Sequence, residues 1–123
     1  MNRIQKTSKI SINDLTKKII AFRDARDWKQ FHNPKDLALS LVLEAGEVME
    51  HFQWKNQAQV EKYVIENKTE IADEIADVFT YLLILSHDLG IDLAEAFENK
   101  LNKSDKKYPV EKAKGKSTKY NKL

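Results

Sequence analysis

The chain is nearly free of the residues that interrupt regular structure, since its 123 residues include only 3 Gly and 2 Pro. Strand-rich folds need many turns, and turns depend on these two residue types, so the shortage favours an all-helical fold. The length corresponds to one domain with a single core. We therefore expect an all-α, four-helix-bundle-like domain.

Capping residues and proline predict where the first two helices lie. Ser11 followed by Asp14 is typical of a helix start, and the apolar stripe Leu15, Ile19 and Phe22 extends that helix to about Arg26. Residues 27–33 are predicted to form a loop. A second helix is expected to begin at Pro34 and to end near Phe52, with a connection over residues 54–58.

The second half of the chain is predicted to contain one long helix and one shorter helix. The long helix should cover residues 59–89, with an interruption near Asn67, and Gly90 should terminate it. Asp92 can cap a last helix that reaches about Asp105. Tyr108-Pro109 is expected to end regular structure, which divides the chain into a domain of residues 1–109 and a lysine-rich tail of residues 110–123.

Charge is distributed unevenly along the chain. From Lys100 onward there are nine lysines against two acidic residues, a net charge of +7, so residues 1–99 carry −5 of the total of +2. An acidic body suggests cation binding, and a basic tail suggests anion binding or simply a solvated surface. The chain has no Cys, which excludes disulfides, thiolate metal sites and cysteine nucleophiles. With no apolar run like a secretion signal at the start and no membrane-length segment, we expect a cytoplasmic protein that does not contact membranes.

Two pairs of acidic residues occupy unusual positions on the predicted helices. Glu44 falls within the apolar stripe of the second helix, and Glu47 lies about 60° to one side of it. On the long helix Glu74 and Asp77 lie on adjacent turns beside the stripe Ile71, Ile75, Val78, Leu82 and Leu85. A carboxylate buried among core residues lowers the stability of the fold by several kcal/mol unless another group compensates its charge.

These pairs can surround one hard divalent cation if the two helices pack antiparallel. Oxygen ligands without Cys select Mg²⁺, or Mn²⁺ as a substitute, over zinc. The alternative interpretation is that the acids are ordinary exposed helix residues, which is the usual explanation for a single Glu-x-x-Glu. The position of Glu44 and the second pair on another helix argue against it.

The same residues resemble the MazG-like all-alpha nucleotide pyrophosphohydrolase superfamily, and most closely its dCTP pyrophosphatase-like branch. The family motif Glu-x-x-Glu followed by Glu-x-x-Asp is matched by residues 44–47 and 74–77. Further similarity covers residues 26–32, 47–54, 77–81 and 106–109. The resemblance implies hydrolysis of nucleoside triphosphates to monophosphate and pyrophosphate, in a homodimer or homotetramer with a core and pockets shared between protomers.

The resemblance also implies the site residues. Catalysis and Mg²⁺ ligation are assigned to Glu44, Glu47, Glu74 and Asp77, with Glu47 the suggested water-orienting residue. Substrate binding is assigned to Trp28, Lys29, Gln30, Phe31, His32, Trp54, Tyr81 and Lys100. Two positions depart from the family, because Ile19 stands where dCTP-preferring members supply a His and Ser104 stands where many relatives have Asn. The preferred base therefore stays open, with cytosine or a modified pyrimidine as the expectation.

The sequence leaves three other interpretations to compare with this hypothesis. His51 lies four residues after Glu47, the spacing of a zinc pair, but the partner is Glu rather than His. Ferritin-like di-iron sites need Glu-x-x-His on two helices, and that tetrapeptide does not occur here. A non-enzymatic helical module that binds nucleic acid through the basic tail would leave Glu44 unexplained.

Trp28 and Trp54 can equally serve interhelical packing, and His87-Asp88 is interpreted as a helix end.

Overall fold

A computed structural model describes residues 9–123, and within this range all regular structure is helical, with no strand. The predicted all-α fold class is therefore confirmed. The expected absence of a secretion signal rests largely on residues 1–8, which lie outside the described part of the chain. Between residues 9 and 123 no helix is long and apolar enough to cross a membrane.

The helices follow one another with short connections. In chain order they are α1 Ile12–Ala25, α2 Pro34–Glu50, α3 Gln57–Glu66, α4 Lys68–Asp88, α5 Leu93–Lys107 and α6 Val110–Ala113, with 3₁₀ helices at Lys29–Phe31 and Tyr120–Lys122. The described chain forms two compact units, one ending at Gly90 and one comprising Ile91–Leu123. In the first unit α2 packs along α4, while α1 and α3 make smaller contacts with α4.

Side-chain caps fix the helix starts as the sequence predicts. Ser11 and Asp14 form a reciprocal capping box at the start of α1. The side chain of Asn33 accepts a hydrogen bond from the backbone N–H of Asp36 at 2.9 Å, directly before Pro34 opens α2. Each such cap typically stabilises a helix by about 1 kcal/mol. Asp92 caps α5 in the same way.

Asn67 separates α3 from α4, which confirms the interruption expected there. It ends α3 and begins α4 with φ −125° and ψ 28°, and its side-chain amide donates to the carbonyl oxygen of Tyr63 at 3.0 Å. Asn residues favour such breaks because their side chains compete for backbone hydrogen bonds. The interruption makes five longer helices in residues 9–123 rather than the expected four.

Two helix boundaries differ from the prediction. The helix predicted to end at Phe52 ends at Glu50, and a turn carries the chain to Trp54, whose φ of +69° lies in the left-handed region. The segment after Pro109 was expected to be irregular, but the four-residue helix α6 follows it directly. Proline lacks an N–H that a first helical turn would leave unpaired, so it can start a helix as readily as end one.

The core of the first unit is small and centres on α2 and α4. Leu37, Ile71, Leu83 and Ile84 are at most 8% exposed. Ile75, predicted to lie in the core stripe, is 53% exposed, so that part of the prediction is wrong for the single chain. Leu83 and Ile84 lie in the C-terminal half of α4, where side chains of α1 line a small cavity together with Ile84.

Candidate functional site

Four carboxylates converge where α2 and α4 pack together. Glu44 and Glu47 lie on α2, Glu74 and Asp77 lie on α4, and one oxygen from each lies within 4.8 Å of the other three. Glu44 and Glu74 are partly buried, whereas Glu47 and Asp77 are exposed. The helix spacing that placed each pair on one face thus brings both pairs to one point.

The cluster is not neutralised by cations of the described chain. Among residues 9–123 the ion pairs are Arg23–Asp88 and Lys62–Glu66, and neither involves these four carboxylates. The Oε2 atoms of Glu44 and Glu74 are buried without a hydrogen-bond partner in this range. Buried polar atoms are nearly always paired, so two carboxylate oxygens without a partner in the described chain are suited to bind a cation. Hard oxygen donors in this number and spacing fit a divalent cation such as Mg²⁺.

The burial and crowding of the cluster raise the pKa of two of its carboxyl groups. A hydrogen bond that the protonated Glu74 can donate to Glu47, together with burial and the charges of the other acids, raises the pKa of Glu74 to about 7. Burial and the charges of Glu47 and Asp77 raise the pKa of Glu44 above its ordinary value. Crowded carboxylates resist simultaneous ionisation, and a bound cation would relieve that resistance.

An open cavity of about 400 Å³ adjoins the cluster and is lined by Glu47, Glu50, His51, Tyr63 and Glu74. Nδ1 of His51 and the hydroxyl of Tyr63 are hydrogen-bonded at 2.6 Å. The ammonium of Lys55 lies 4.2 Å from the centre of the Tyr63 ring, a cation–π contact. The cavity is therefore acidic at the cluster and has a hydrogen-bonded His–Tyr pair in its wall.

A second charged group lies at the C-terminal ends of α1 and α4. Arg23 is 2% exposed and forms a bidentate ion pair with Asp88, with N–O distances of 2.7 and 2.9 Å. These hydrogen bonds hold the pKa of Asp88 below its ordinary value and raise the pKa of Arg23. Nη1 of Arg23 also lies 3.4 Å from Nδ1 of His32. The pair connects α1, α4 and the loop after α1.

Three of the predicted substrate-binding residues meet at a small cavity of about 70 Å³. Trp28, His32 and Tyr81 line it, and so does Ile19, the position where the family pattern has a His. The indole of Trp28 contacts the ring of Phe22 edge-on, with centroids 5.8 Å apart. The side chain of Ile19 is apolar and supplies no hydrogen-bond donor to this cavity.

The remaining predicted substrate-binding residues lie elsewhere. Trp54 is 92% exposed and lines a different cavity of about 260 Å³ beside Lys55 and Tyr63. Lys29, Gln30 and Phe31 form the 3₁₀ helix after α1, with exposed side chains. Lys100 is an exposed residue of α5, in the second compact unit, and Ser104 of the same helix is partly buried.

Comparison with known proteins identifies the family. A family model described as the MazG-like family matches residues 39–123. The chain belongs to the MazG-like family. It is 34% identical to rat (Rattus norvegicus) dCTP pyrophosphatase 1 over 115 residues, 92% of this chain and 68% of that protein. The human (Homo sapiens) dCTP pyrophosphatase 1 is 33% identical over the same coverage.

A solved structure supports the same assignment. A pyrophosphatase from Archaeoglobus fulgidus DSM 4304 is 38% identical, with a TM-score of 0.75 over 79% of this chain and 91% of that one. These matches confirm the resemblance to the MazG-like family and its dCTP pyrophosphatase-like branch that the acidic motifs and tryptophan segments indicated.

Three features of this MazG-like chain were not predicted from the sequence. Arg23 continues the four-residue spacing of Leu15 and Ile19, and this spacing indicates an inward position. The predicted stripe instead includes Phe22, which is 45% exposed. Glu50 follows Glu44 and Glu47 at three-residue intervals and lines the cavity with them. The contact of His51 with Tyr63 had no local signal, because it joins α3 to the turn after α2.

Proposed function

We propose that this protein is a Mg²⁺-dependent hydrolase that converts nucleoside or deoxynucleoside triphosphates and water to monophosphates and pyrophosphate. Family membership and the pyrophosphatase relatives establish the general class: the chain is an enzyme, a nucleotide pyrophosphohydrolase. The observation that carries the metal dependence is the cluster of four carboxylates with two buried, unpaired oxygens.

Each part of the site has a defined role in this proposal. Glu44, Glu47, Glu74 and Asp77 would hold the cation, and Mn²⁺ could replace Mg²⁺ because it accepts the same oxygen ligands. When bound, the cation supplies charge neutralisation for the triphosphate and for the leaving pyrophosphate. Glu47 is the more exposed glutamate of the α2 pair, and it also lines the 400 Å³ cavity. Both facts support its role in orienting the water that attacks the α-phosphorus.

Substrate recognition is proposed to use aromatic residues. Trp28, His32 and Tyr81 share one cavity, and the flat ring of Trp54 is free to stack on a base, a contact worth roughly 1–3 kcal/mol. Lys29, Gln30, Phe31 and Lys100 are proposed to contact the nucleotide on the strength of the family motif. The names of the relatives support a preference for dCTP or a modified pyrimidine, and a role in removing unwanted triphosphates.

We propose a homodimer or homotetramer as the active form. Several apolar side chains of α2 and α4 are exposed to solvent in the single chain. They are 53–69% exposed and comprise Val42, Leu43, Met49 and Ile75. An apolar cavity between Val48 and Ile75 adds to this surface. Monomers rarely expose such patches, so a second copy of the chain is the natural cover. Light scattering coupled to gel filtration measures the state, and a monomeric mass at micromolar concentration would contradict the proposal.

The basic segment and the location complete the proposal. Residues 1–109 are proposed to form the enzymatic domain, and residues 110–123 a lysine-rich tail of a cytoplasmic protein, without a nucleic-acid role. Salt-sensitive binding of duplex DNA that survives EDTA would instead support the nucleic-acid module.

The deciding experiment is product analysis over a panel of triphosphates, with Mg²⁺ and with EDTA. We expect monophosphate and pyrophosphate only with the metal, and the highest kcat/KM for a cytosine or modified pyrimidine deoxynucleotide. Diphosphate and phosphate as products would contradict the assigned bond, and full activity in EDTA would contradict the metal requirement. A purine preference would overturn the substrate assignment alone.

A further inference from the structure

The 400 Å³ cavity beside the acidic cluster has few groups that can bind an anion. Three of its five lining residues are the carboxylates Glu47, Glu50 and Glu74, which only accept hydrogen bonds when ionised. A triphosphate presents only acceptor oxygens to its surroundings. Of the lining residues, therefore, His51 and Tyr63 alone can donate a hydrogen bond to it once the carboxylates are ionised.

The hydrogen bond between His51 and Tyr63 leaves one polar hydrogen for a ligand. A neutral imidazole and a phenol carry one polar hydrogen each, and the 2.6 Å contact between Nδ1 and the hydroxyl uses one of them. If Tyr63 donates, the remaining hydrogen lies on Nε2 of His51. If His51 donates, it lies on the tyrosine oxygen.

Lys55 determines which direction is favoured. Its ammonium lies 4.2 Å from the centre of the Tyr63 ring. A positive charge on the ring face draws electron density from the phenol oxygen, so the hydroxyl becomes a better donor and a poorer acceptor. Donation from Tyr63 to Nδ1 is therefore the favoured direction, and it places the hydrogen of His51 on Nε2. Nε2 is the ring nitrogen that remains for a ligand.

We propose that His51, oriented by Tyr63, is a substrate-binding residue that donates its Nε2 hydrogen to a phosphate oxygen of the triphosphate. The inference rests on the proposed function, since it requires a triphosphate at the acidic cluster. It gives His51 a role other than the zinc ligand that its spacing from Glu47 suggested. Among residues 9–123 the group with metal-binding spacing contains the four carboxylates and not His51.

Replacement of His51 tests the proposal. His51→Leu removes the donor, and His51→Gln keeps an amide donor at a similar distance from the backbone. Hydrogen bonds to charged groups contribute enough for roughly a ten- to hundredfold change in affinity. We expect His51→Leu to raise KM, and the dissociation constant of a non-hydrolysable triphosphate analogue with Mg²⁺, by about tenfold or more. His51→Gln should recover much of this loss.

Tyr63→Phe and a binding assay without nucleotide separate binding from folding. Tyr63→Phe keeps the ring and the Lys55 contact but frees the imidazole, so a smaller rise in KM is expected. Stabilisation of the protein by Mg²⁺ alone should stay unchanged in all three variants. His87→Gln replaces an exposed histidine of α4 and serves as the matched control. A role in packing alone predicts lower melting temperatures with unchanged analogue affinity, and that pattern would overturn the inference.

The two proposals fail in distinguishable ways. If the wild-type protein hydrolyses triphosphates with Mg²⁺ while His51→Leu binds the analogue equally well, the role of His51 is wrong and the proposed function stands. If the wild type shows no turnover but binds the analogue, the affinity comparison still decides the role of His51. If the wild type neither hydrolyses triphosphates nor binds the analogue, both proposals are wrong.

Discussion

The first compact unit contains two groups of partly buried charges, and they are treated in opposite ways. Arg23 and Asp88 neutralise each other through two hydrogen bonds of 2.7 and 2.9 Å. The four carboxylates of the acidic cluster have no opposite charge in the described chain, and two of their buried oxygens have no partner. Both groups connect α4 to another helix.

This difference distinguishes a structural charge pair from a binding site. The charges of Arg23 and Asp88 balance within the chain, although Nε of Arg23 is buried without a hydrogen-bond partner in residues 9–123. Removing either partner therefore leaves an uncompensated charge and affects stability. Repulsion within a cluster of like charges lowers the stability of the isolated chain. A bound ligand of opposite charge removes that repulsion, so such a cluster indicates a binding site. Substitutions in the first group should therefore affect folding, and substitutions in the second should affect activity.

The largest expected effect is on catalysis. Glu44→Gln or Asp77→Asn keeps the side-chain volume and removes one charge from the cluster. Residues that only support metal ligands typically change activity by about 10- to 100-fold, so loss of a ligand should lower kcat/KM by more than about a hundredfold. Circular dichroism and the midpoint of urea unfolding without metal should stay near wild type, or rise as repulsion falls.

Glu61→Gln is the matched control for these variants. Glu61 is an exposed glutamate of α3, and its amide can still accept the 3.1 Å hydrogen bond from Gln57. Wild-type activity in both cluster variants would refute the metal assignment. If both cluster variants are less stable but keep full activity, the cluster has a structural role like that of the Arg23–Asp88 pair.

The second prediction concerns the Arg23 pair. Asp88→Ala leaves a guanidinium that is 2% exposed without its anion, and breaking a buried pair typically lowers the free energy of unfolding by about 3–5 kcal/mol. The double variant Arg23→Met with Asp88→Leu removes both charges and should recover most of that loss. Urea unfolding measures both. Equal loss in the double variant would show that the pair stabilises through its shape rather than through its charges.

The parts of this molecule that depend on local patterns are predictable from its sequence. The caps at Ser11 and Asp92, the interruption at Asn67 and the facing carboxylate pairs follow from residue type and helical spacing. The partner of Arg23 could not be predicted in this way. Asp88 lies 65 residues away in sequence, and only the packing of α1 on α4 brings the two together.

Exposure was the other quantity that sequence patterns misjudged. An apolar stripe predicts a buried face, but it does not show whether the same chain buries that face. Ile75 is 53% exposed in the single chain although it lies in the apolar stripe of α4. Periodicity cannot distinguish a core residue from one that a second copy covers, because both remove apolar surface from water.

The third prediction is a pH dependence of stability in EDTA. Glu74 has a pKa of about 7 in the folded chain and an ordinary value of 4.5, so the folded state binds more protons between these pH values. Stability of the metal-free protein should therefore fall as pH rises from about 4.5 to 7 and then level off. The raised pKa of Glu44 acts in the same direction. Melting temperatures at pH 5 and pH 8 measure the fall.

Glu74→Gln and added Mg²⁺ provide the controls for this pH dependence. The amide does not titrate, so the difference in melting temperature between pH 5 and pH 8 should shrink in the variant. Mg²⁺ binds the ionised cluster, so saturating metal should remove most of the fall in the wild type. An unchanged pH dependence in Glu74→Gln would mean that groups outside the cluster cause it.

The smallest expected change in the free energy of unfolding concerns the two tryptophans. Trp28 is 45% exposed and packs on Phe22, whereas Trp54 is 92% exposed and held at φ +69°. A large side chain in that conformation is unusual and tends to persist where function requires it. Trp54→Ala should change the free energy of unfolding by no more than about 0.5 kcal/mol, as for surface positions generally. Trp28→Ala should lower it by more, because it removes packing that the chain itself provides.

The same two variants should be compared in KM for the preferred nucleotide. A lost base stack corresponds to roughly a 5- to 100-fold rise in KM. Trp54→Ala is expected to show that rise almost without a change in melting temperature, which parallels the behaviour of the acidic cluster. If its KM and stability both match wild type, Trp54 does not contact the base in this enzyme, and its left-handed backbone has no role in recognition.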